Sequence, residues 1–187
     1  LGFKRVPALI RAFGRARNRF TRPGSLVIWG GHPGEWEGEH PVTVAREIGT
    51  DGIYFTGWRG HDDLPEGLAA CDALVVPSVE DPYPQVPLEA MAVGLPVIAC
   101  RSGGLTSMVN LDPALPTGWF VPPDDLDALA GVLATVVNDP AEAAERGANA
   151  LAHARANLSW DGLVARFEAV YAQGTERHRR RATEVAR

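Results

Sequence analysis

No stretch of the sequence provides the ~18 consecutive apolar residues of a membrane span, and nothing at its start resembles a secretory signal. Only two cysteines are present, Cys71 and Cys100, too far apart in sequence for a disulfide framework or a metal knuckle. Both are expected as small core thiols, and a reducing cytoplasm is the expected compartment, with peripheral attachment to a membrane surface left open. No internal repeat is visible. The glycines of "GGHPGE" do not form G-x-G-x-x-G, which argues against a nicotinamide or flavin enzyme. Acids are missing from the first 24 residues, which hold seven Lys or Arg. From Gly174 onward five Arg stand against two Glu, so residues 25–173 carry a net charge of -15, against -5 for the whole chain. A basic end can serve nucleic acid, but no groove-reading motif or interleaved aromatics accompany these arginines, and no nucleic-acid partner is expected.

What is present is the composition of an ordinary globular α/β domain, with 45% hydrophobic and 22% charged residues in 187. The chain opens on Leu1 and not on Met, as expected for a fragment of a longer protein. Val6, Leu9, Ile10 and Phe13 recur at helical spacing, with Arg11, Arg15 and Arg19 elsewhere around the turn, up to the Pro23-Gly24 break. The apolar runs in "SLVIWGG", "GIYFTGW", "ALVVPS", "LPVIAC" and "TGWFVPP" predict strands. Helices are predicted between them, in "PVTVAREIG", "HDDLPEGLAACD", "VPLEAMAVG" and "GGLTSMV". Residues 124–137, 141–157 and 159–172 read as further helices, with Asp124 and Ser159 as caps and Pro140 in a first turn. After Tyr171 apolar periodicity is lost and a frayed, basic tail is expected over residues 174–187, outside a domain of residues 1–173.

Strands without polar alternation, each separated by one helix, predict a doubly wound, Rossmann-like parallel sheet with helices on both faces. Such sheets bind ligands beyond the carboxyl ends of their strands, where "GGHPGE", "TGWRGHDD", "PSVEDPYPQVP" and "CRSGG" all fall. The stretch "EDPYPQVPLEAMAVGLPVIACRSGG" sets Asp81 eight residues before Glu89, with prolines between them. That spacing gains nothing in a core element and reads as the rim of a binding site. Glu89, in the first turn of a helix starting near Pro87, either favours its own helix N-terminus or chelates a vicinal diol; spacing alone leaves both open. Gly103 and Gly104 either admit a ligand backbone-close or make a tight turn. The histidines His32, His40 and His61 are scattered among loops. "HPGEWEGEH" lacks convergent metal-ligand spacing, so no metal site is expected.

With those residues in view, the central stretch resembles the motif of family 4 (group 1) glycosyltransferases, E-P-F-G-x-x-x-x-E-A-M-A-x-G-x-P-V-[IV]-A-x-x-x-G-G. "KRVPALIRAF" is similar to the family's lysine-bearing segment and "TGWFVPPDDLDALA" to its closing stretch, so the likeness spans about residues 4–172. It implies the GT-B architecture, of which this chain matches the C-terminal, donor-binding half. The N-terminal acceptor-binding domain would then be the partner within the same protein.

The resemblance further implies a retaining transfer of sugar from a nucleotide sugar, as donor substrate, to an acceptor, with no cofactor and no metal. Asp81 matches the acid against the donor sugar and Glu89 the acid that holds the ribose hydroxyls; these are the catalytic-centre candidates. Lys4 matches the diphosphate lysine. Tyr83, Gln85 and Val86 match positions whose backbone contacts sugar and phosphate, and Gly57, Trp58 and Arg59 follow the strand where the base is read. Two departures stand out. Asp81 is one methylene shorter than the usual glutamate, with Glu80 as a substitute if the loop shifts by one, and Pro84 replaces a glycine and offers no N–H. Two alternatives stay open: a non-catalytic nucleotide-sugar-binding module, which those departures motivate, and an epimerase-like GT-B domain, against which the "LEAMAVGLPVIA" pattern argues.

Overall fold

A computed structural model describes residues 2–31, 38–110 and 112–185, the side chains of 179–185 excepted. After a 3-10 turn at Gly2–Lys4, α1 (Val6–Arg17) buries Leu9, Ile10, Ala12, Phe13 and Ala16 along one face, as their spacing requires. Four βα units follow: β1 (Leu26–Trp29) with α2 (Pro41–Ile48), β2 (Ile53–Gly57) with α3 (Leu64–Ala69), β3 (Leu74–Val76) with α4 (Val86–Ala92), and β4 (Val97–Cys100) with α5 (Leu105–Met108). Then come β5 (Gly118–Val121) and the helices α6 (Leu126–Asn138), α7 (Pro140–Asn157) and α8 (Trp160–Val185).

Every strand pair is parallel, with helices around the strands, as the apolar runs predict. Leu26 lies opposite Ile53, Leu74 opposite Val97, and Val97 opposite Gly118. Among the described residues the ladders form two groups, β1-β2 and β3-β4-β5, and not one continuous sheet. β4 is buried along its whole length and divides the interior. Ile98 joins the cluster built by α1, α2, β1, β2 and α6, around Ile10, Phe13, Val44 and Leu129. Val97 and Ala99 join the other, around Met91, Leu105, Met108 and Ala150. Each fully buried Ile, Leu or Met here contributes about 1.5–3 kcal/mol by leaving water.

Three features differ from the sequence expectation. Val27 and Tyr54, paired across β1 and β2, are 44% and 58% exposed, so this ladder is not covered on both faces. The cap of α6 is Asp125, which accepts from the Ala128 N–H at 2.9 Å, and not Asp124. Asp124 instead adopts φ 58° and pairs with Arg5 at 3.3 Å. The expected frayed tail is helical: α8 continues to Val185, because Ala, Gln, Glu and Arg sustain a helix by propensity where apolar periodicity has ended. Ser159 caps α8 as expected, accepting from Gly162 N–H. The helix leaves Trp160, Val164, Phe167, Val170 and Tyr171 at least half exposed.

The basic opening segment finds its partners inside the molecule. Arg11 pairs with Glu39 at 2.6 Å and Arg15 with Asp127 at 3.0 Å, while Arg17 donates to the carbonyls of Ile48 and Asp51 at the end of α2. These arginines tie α1 to the acidic body of the chain. Exposed pairs of this kind contribute only about 0–1 kcal/mol each.

Cys100 closes β4 at 2% exposure, and its thiol is pushed above the usual range by burial first and by Asp124 second, with Arg5 opposing. A folded state that keeps a proton the unfolded chain releases loses stability as pH rises through the ordinary thiol range. Cys100 is therefore expected to resist a thiol-specific disulfide reagent at neutral pH until urea unfolds the chain. Immediate stoichiometric reaction of the native Cys71→Ala variant would contradict that placement.

Candidate functional site

The carboxyl end of β3 leads into the acidic loop, and three backbone devices shape it. Val79 N–H donates to the Phe3 carbonyl at 2.9 Å, tying the chain's opening turn to the end of β3. Glu80 takes φ 58°, a left-handed conformation costing a non-glycine residue about 1 kcal/mol or more, and its N–H is held by Ser102 Oγ at 3.0 Å. Gly104 N–H donates to the Asp81 carbonyl at 2.9 Å. The glycine pair therefore serves close backbone packing against the acidic loop. A Cβ at Gly103, whose φ is 54°, would overlap the Asp81 carbonyl, and one at Gly104 would overlap that of Pro82.

The loop turns Asp81 inward. Its carboxylate meets Lys4 Nζ at 2.7 Å, with Asp81 6% exposed and the lysine side chain 40% exposed. Lys4 also lies 4.9 Å from the centre of the Phe3 ring. Glu80 is exposed, so Asp81 and not its neighbour occupies the inward acidic position. Glu89 lies in the first turn of α4, which starts at Val86, one residue before the expected Pro87. It is partly buried, and its carboxylate has no ion-pair or hydrogen-bond partner among the described residues. Pro84 is buried, while Tyr83 is 50% exposed and Gln85 is exposed at the loop's outer edge. The Leu88 and Glu89 amides both donate to the Gln85 carbonyl, and Pro87 has no N–H to give.

The structure thus brings Lys4, Asp81 and the Gly103-Gly104 pair into direct contact, with Glu89 one helical turn from the loop. Gly57 ends β2 in the other strand group, with Trp58 and Arg59 just beyond it; Gly57, at φ 68°, accepts from Gly30 N–H at 3.0 Å. Trp58 is 65% exposed. Of the histidines, His32 lies outside the described residues, as does most of "HPGEWEGEH". His40 caps α2 by accepting from Val42 N–H at 3.2 Å, and His61 opens a 3-10 turn. Among the described residues no cluster of His, Cys, Asp or Glu is placed to hold a metal ion, and no helix is long and apolar enough to cross a membrane. Sequence reasoning missed Ser102 and the Arg5–Asp124 pair. A lone serine and an ion pair 119 residues apart leave no local pattern.

Chemically, the rim offers one partly exposed ammonium, a buried carboxylate beside it and a second carboxylate with accepting capacity to spare. That set suits a ligand with an anionic group and several hydroxyls.

The chain is similar to known proteins over nearly its whole length. It is 33% identical over 189 aligned positions to the D-inositol 3-phosphate glycosyltransferase of Salinispora tropica, covering 98% of this chain and 38% of that protein. It is 32% identical to the lipopolysaccharide core biosynthesis mannosyltransferase LpsB of Rhizobium meliloti, over 73% of this chain and 38% of the relative. The chain thus spans about two fifths of the length of these curated relatives. Among solved structures, sucrose-phosphate synthase from Thermosynechococcus elongatus superposes with a TM-score of 0.79 at 30% identity, over 94% of this chain and 43% of that one. HepE of Anabaena, solved with UDP, matches at 0.78 over 92% of this chain and 46% of its own, a likeness of fold at 23% identity. The family model described as "Glycosyl transferases group 1" matches residues 2–139. By that match over most of its length, the chain belongs to the group 1 glycosyltransferases.

Proposed function

We propose that this chain is the donor-binding part of a retaining glycosyltransferase that moves a sugar from a nucleotide sugar to an acceptor. The observation that carries the reading is the Lys4–Asp81 pair at the strand ends, with the Glu89 carboxylate on the adjoining helix and no partner for it among the described residues. In this reading Glu89 accepts from the ribose hydroxyls, Asp81 lies against the donor sugar, and Lys4 meets the diphosphate. Tyr83, Gln85 and Val86 line the sugar and phosphate side, and Gly57, Trp58 and Arg59 the base. The departing diphosphate is neutralised by fixed protein charge, without a cofactor or metal, which makes electrostatic stabilisation of the leaving group the main catalytic term. No side chain is assigned as a nucleophile. The acceptor side belongs to a second, N-terminal domain. The D-inositol 3-phosphate glycosyltransferase and the mannosyltransferase LpsB, both similar in sequence, and the UDP complex of HepE, similar in fold, support this choice of ligand class.

The test is titration calorimetry with bare nucleoside diphosphates. Glu89→Ala is expected to weaken binding by roughly tenfold to a hundredfold, the worth of charge-assisted hydrogen bonds to a diol of about 1.5–3 kcal/mol. Asp81→Ala is expected to leave it unchanged or slightly tighter, because it removes the carboxylate that competes with diphosphate for Lys4. Equal losses for the two variants would overturn this division of roles.

A further inference from the structure

Among the described residues three that are not glycine take a positive φ: Arg5 at 52°, Glu80 at 58° and Asp124 at 58°. Their places are not scattered. Arg5 directly follows Lys4 and Glu80 directly precedes Asp81, so each partner of the 2.7 Å ion pair has a strained neighbour. The third, Asp124, is the partner of the first: Arg5 Nη2 donates to Asp124 Oδ2 at 3.3 Å, and Nε lies 3.3 Å from Oδ1. Strain of this kind persists only where surrounding contacts hold it, and it gathers at sites that need a fixed geometry.

Local rules do not explain an arginine at position 5. It stands at the N-cap of α1, a place usually filled by an extended residue whose side-chain oxygen accepts from the helix. Arg5 is left-handed there, and its side chain caps nothing. What the side chain does is cross to Asp124, the residue before the cap of α6. The two helices share one core cluster through Leu9, Phe13, Leu129 and Leu133, so Asp124 is held on a firm base. Stability does not explain the pair either. It is exposed, so water screens its attraction, while each left-handed residue costs as much as such a pair returns. Arg15 and Asp127 tie the same two helices at 3.0 Å from ordinary helical backbone, with no strain at all. Nor is a ligand pocket involved. Arg5 and Asp124 line a cavity of only about 20 Å³, beside Pro77, Cys100 and Val121 at the carboxyl rim of β3, β4 and β5, with room for a single water.

The backbone angle of Arg5 sets the direction in which the turn Gly2–Lys4 leaves α1. Its N–H closes that turn on the Gly2 carbonyl at 3.2 Å, and the Phe3 carbonyl in turn accepts from Val79 at 2.9 Å. A return of Arg5 to the ordinary negative φ would swing the turn, and Lys4 with it, off the acidic loop.

We propose that Arg5 is a positioning residue: its pair with Asp124 holds the left-handed link between the opening turn and α1, and so sets the Lys4 ammonium against Asp81 at the rim. The consequence for ligand affinity rests on the donor-binding reading; the placement of the turn does not.

The variants are Arg5→Gly, Asp124→Gly, the two combined, and the exchanged pair Arg5→Asp with Asp124→Arg. Arg15→Ala serves as the control and Lys4→Ala as the reference. Glycine accepts the left-handed backbone, so the glycine variants release the link without straining the fold and should still melt cooperatively. Amide exchange at Val79 is expected to quicken about fivefold or more in each glycine variant and to stay unchanged in Arg15→Ala. Calorimetry with the tightest-binding of UDP, GDP and ADP should show roughly a three- to tenfold loss for either glycine variant, with the matching nucleoside unaffected. The combined variant should lose no more than either single one, and the exchanged pair should recover most of the affinity, as one coupled unit does. The sign for Asp124→Gly is decisive, because removing an acid near an anion's site would by charge alone tighten binding. Tighter binding by Asp124→Gly, with no recovery in the exchanged pair, would mean that Arg5 meets the diphosphate itself and would overturn the proposal. Unchanged Val79 exchange in both glycine variants would overturn it as well. Should none of the three diphosphates bind, or should Lys4→Ala bind as tightly as the wild type, the donor-binding reading falls, and Val79 exchange still judges the positioning.

Discussion

Gly104→Ala is expected to destabilise the chain by about 3 kcal/mol, the upper end of what overpacking costs, lowering the thermal midpoint by roughly 6–12 °C. The backbone of Gly104 is helical, with φ -65° and ψ -19°, so alanine is conformationally acceptable there and the cost is one of space alone. The new methyl would overlap the Pro82 carbonyl oxygen, with the Pro82 carbonyl carbon at 2.8 Å and the Tyr83 Cα at 3.1 Å. All three are backbone atoms, which cannot swing aside as a side-chain tip can. Relief requires the acidic loop to lift, breaking the 2.9 Å bond from Gly104 N–H to the Asp81 carbonyl and moving Asp81 off Lys4. Nucleoside diphosphate binding should fall by tenfold or more, the worth of about 1.4 kcal/mol, because the lifted loop carries Tyr83, Gln85 and Val86 away from the phosphate side that the proposed reading assigns them. Gly174→Ala is the matched control. Nothing lies within 4 Å of its Cβ, and in the interior of α8 alanine should stabilise by up to about 1 kcal/mol. A Gly104→Ala protein that melts with the wild type would show that the loop does not rest on these glycines.

The same residues mark what could be read in advance. The βα alternation was legible because β3 and β4 are short apolar runs bounded by Pro, Gly and Asp, the pattern expected of strands in a covered parallel sheet. The eight-residue spacing of Asp81 and Glu89 was legible as a rim for the same reason: prolines and acids are costly inside an element and cheap at its end. What was not legible depends on contacts distant in sequence. Asp124 and Asp125 are equivalent cap candidates in sequence, and the choice falls to Asp125 because Asp124 is drawn into the left-handed region to meet Arg5. The partners of the α1 arginines could not be read in advance because Glu39 and Asp127 lie 28 and 112 residues away. The split of the sheet was also hidden, since a run such as "SLVIWGG" shows that a strand is apolar without showing which of its edges is paired.

Lys4→Ala is expected to separate two jobs of one ammonium. The first is structural. Asp81 is 6% exposed, and without Lys4 its carboxylate loses the partner that makes its burial tolerable; breaking a fully buried pair costs about 3–5 kcal/mol. Here the lysine is 40% exposed and water can reach its place, so the expected loss is nearer 1–2 kcal/mol. Asp81→Ala should cost less, because it leaves an ammonium free to turn to solvent. The double variant should recover most of the stability lost by Lys4→Ala, as coupled neighbours do. The second job is binding. Residues 25–173 carry a net -15, a field that repels a diphosphate unless a fixed cation offsets it locally. Lys4→Ala should therefore weaken nucleoside diphosphate binding about tenfold while leaving the uncharged nucleoside nearly unaffected. Raising salt should narrow that gap, because a partly exposed charge is screened over roughly 8–10 Å. The double variant is the deciding case. If Lys4 meets the ligand, restoring stability by removing Asp81 will not restore diphosphate affinity. Should affinity return with stability, Lys4 is only the partner of a buried acid, and the diphosphate is held elsewhere.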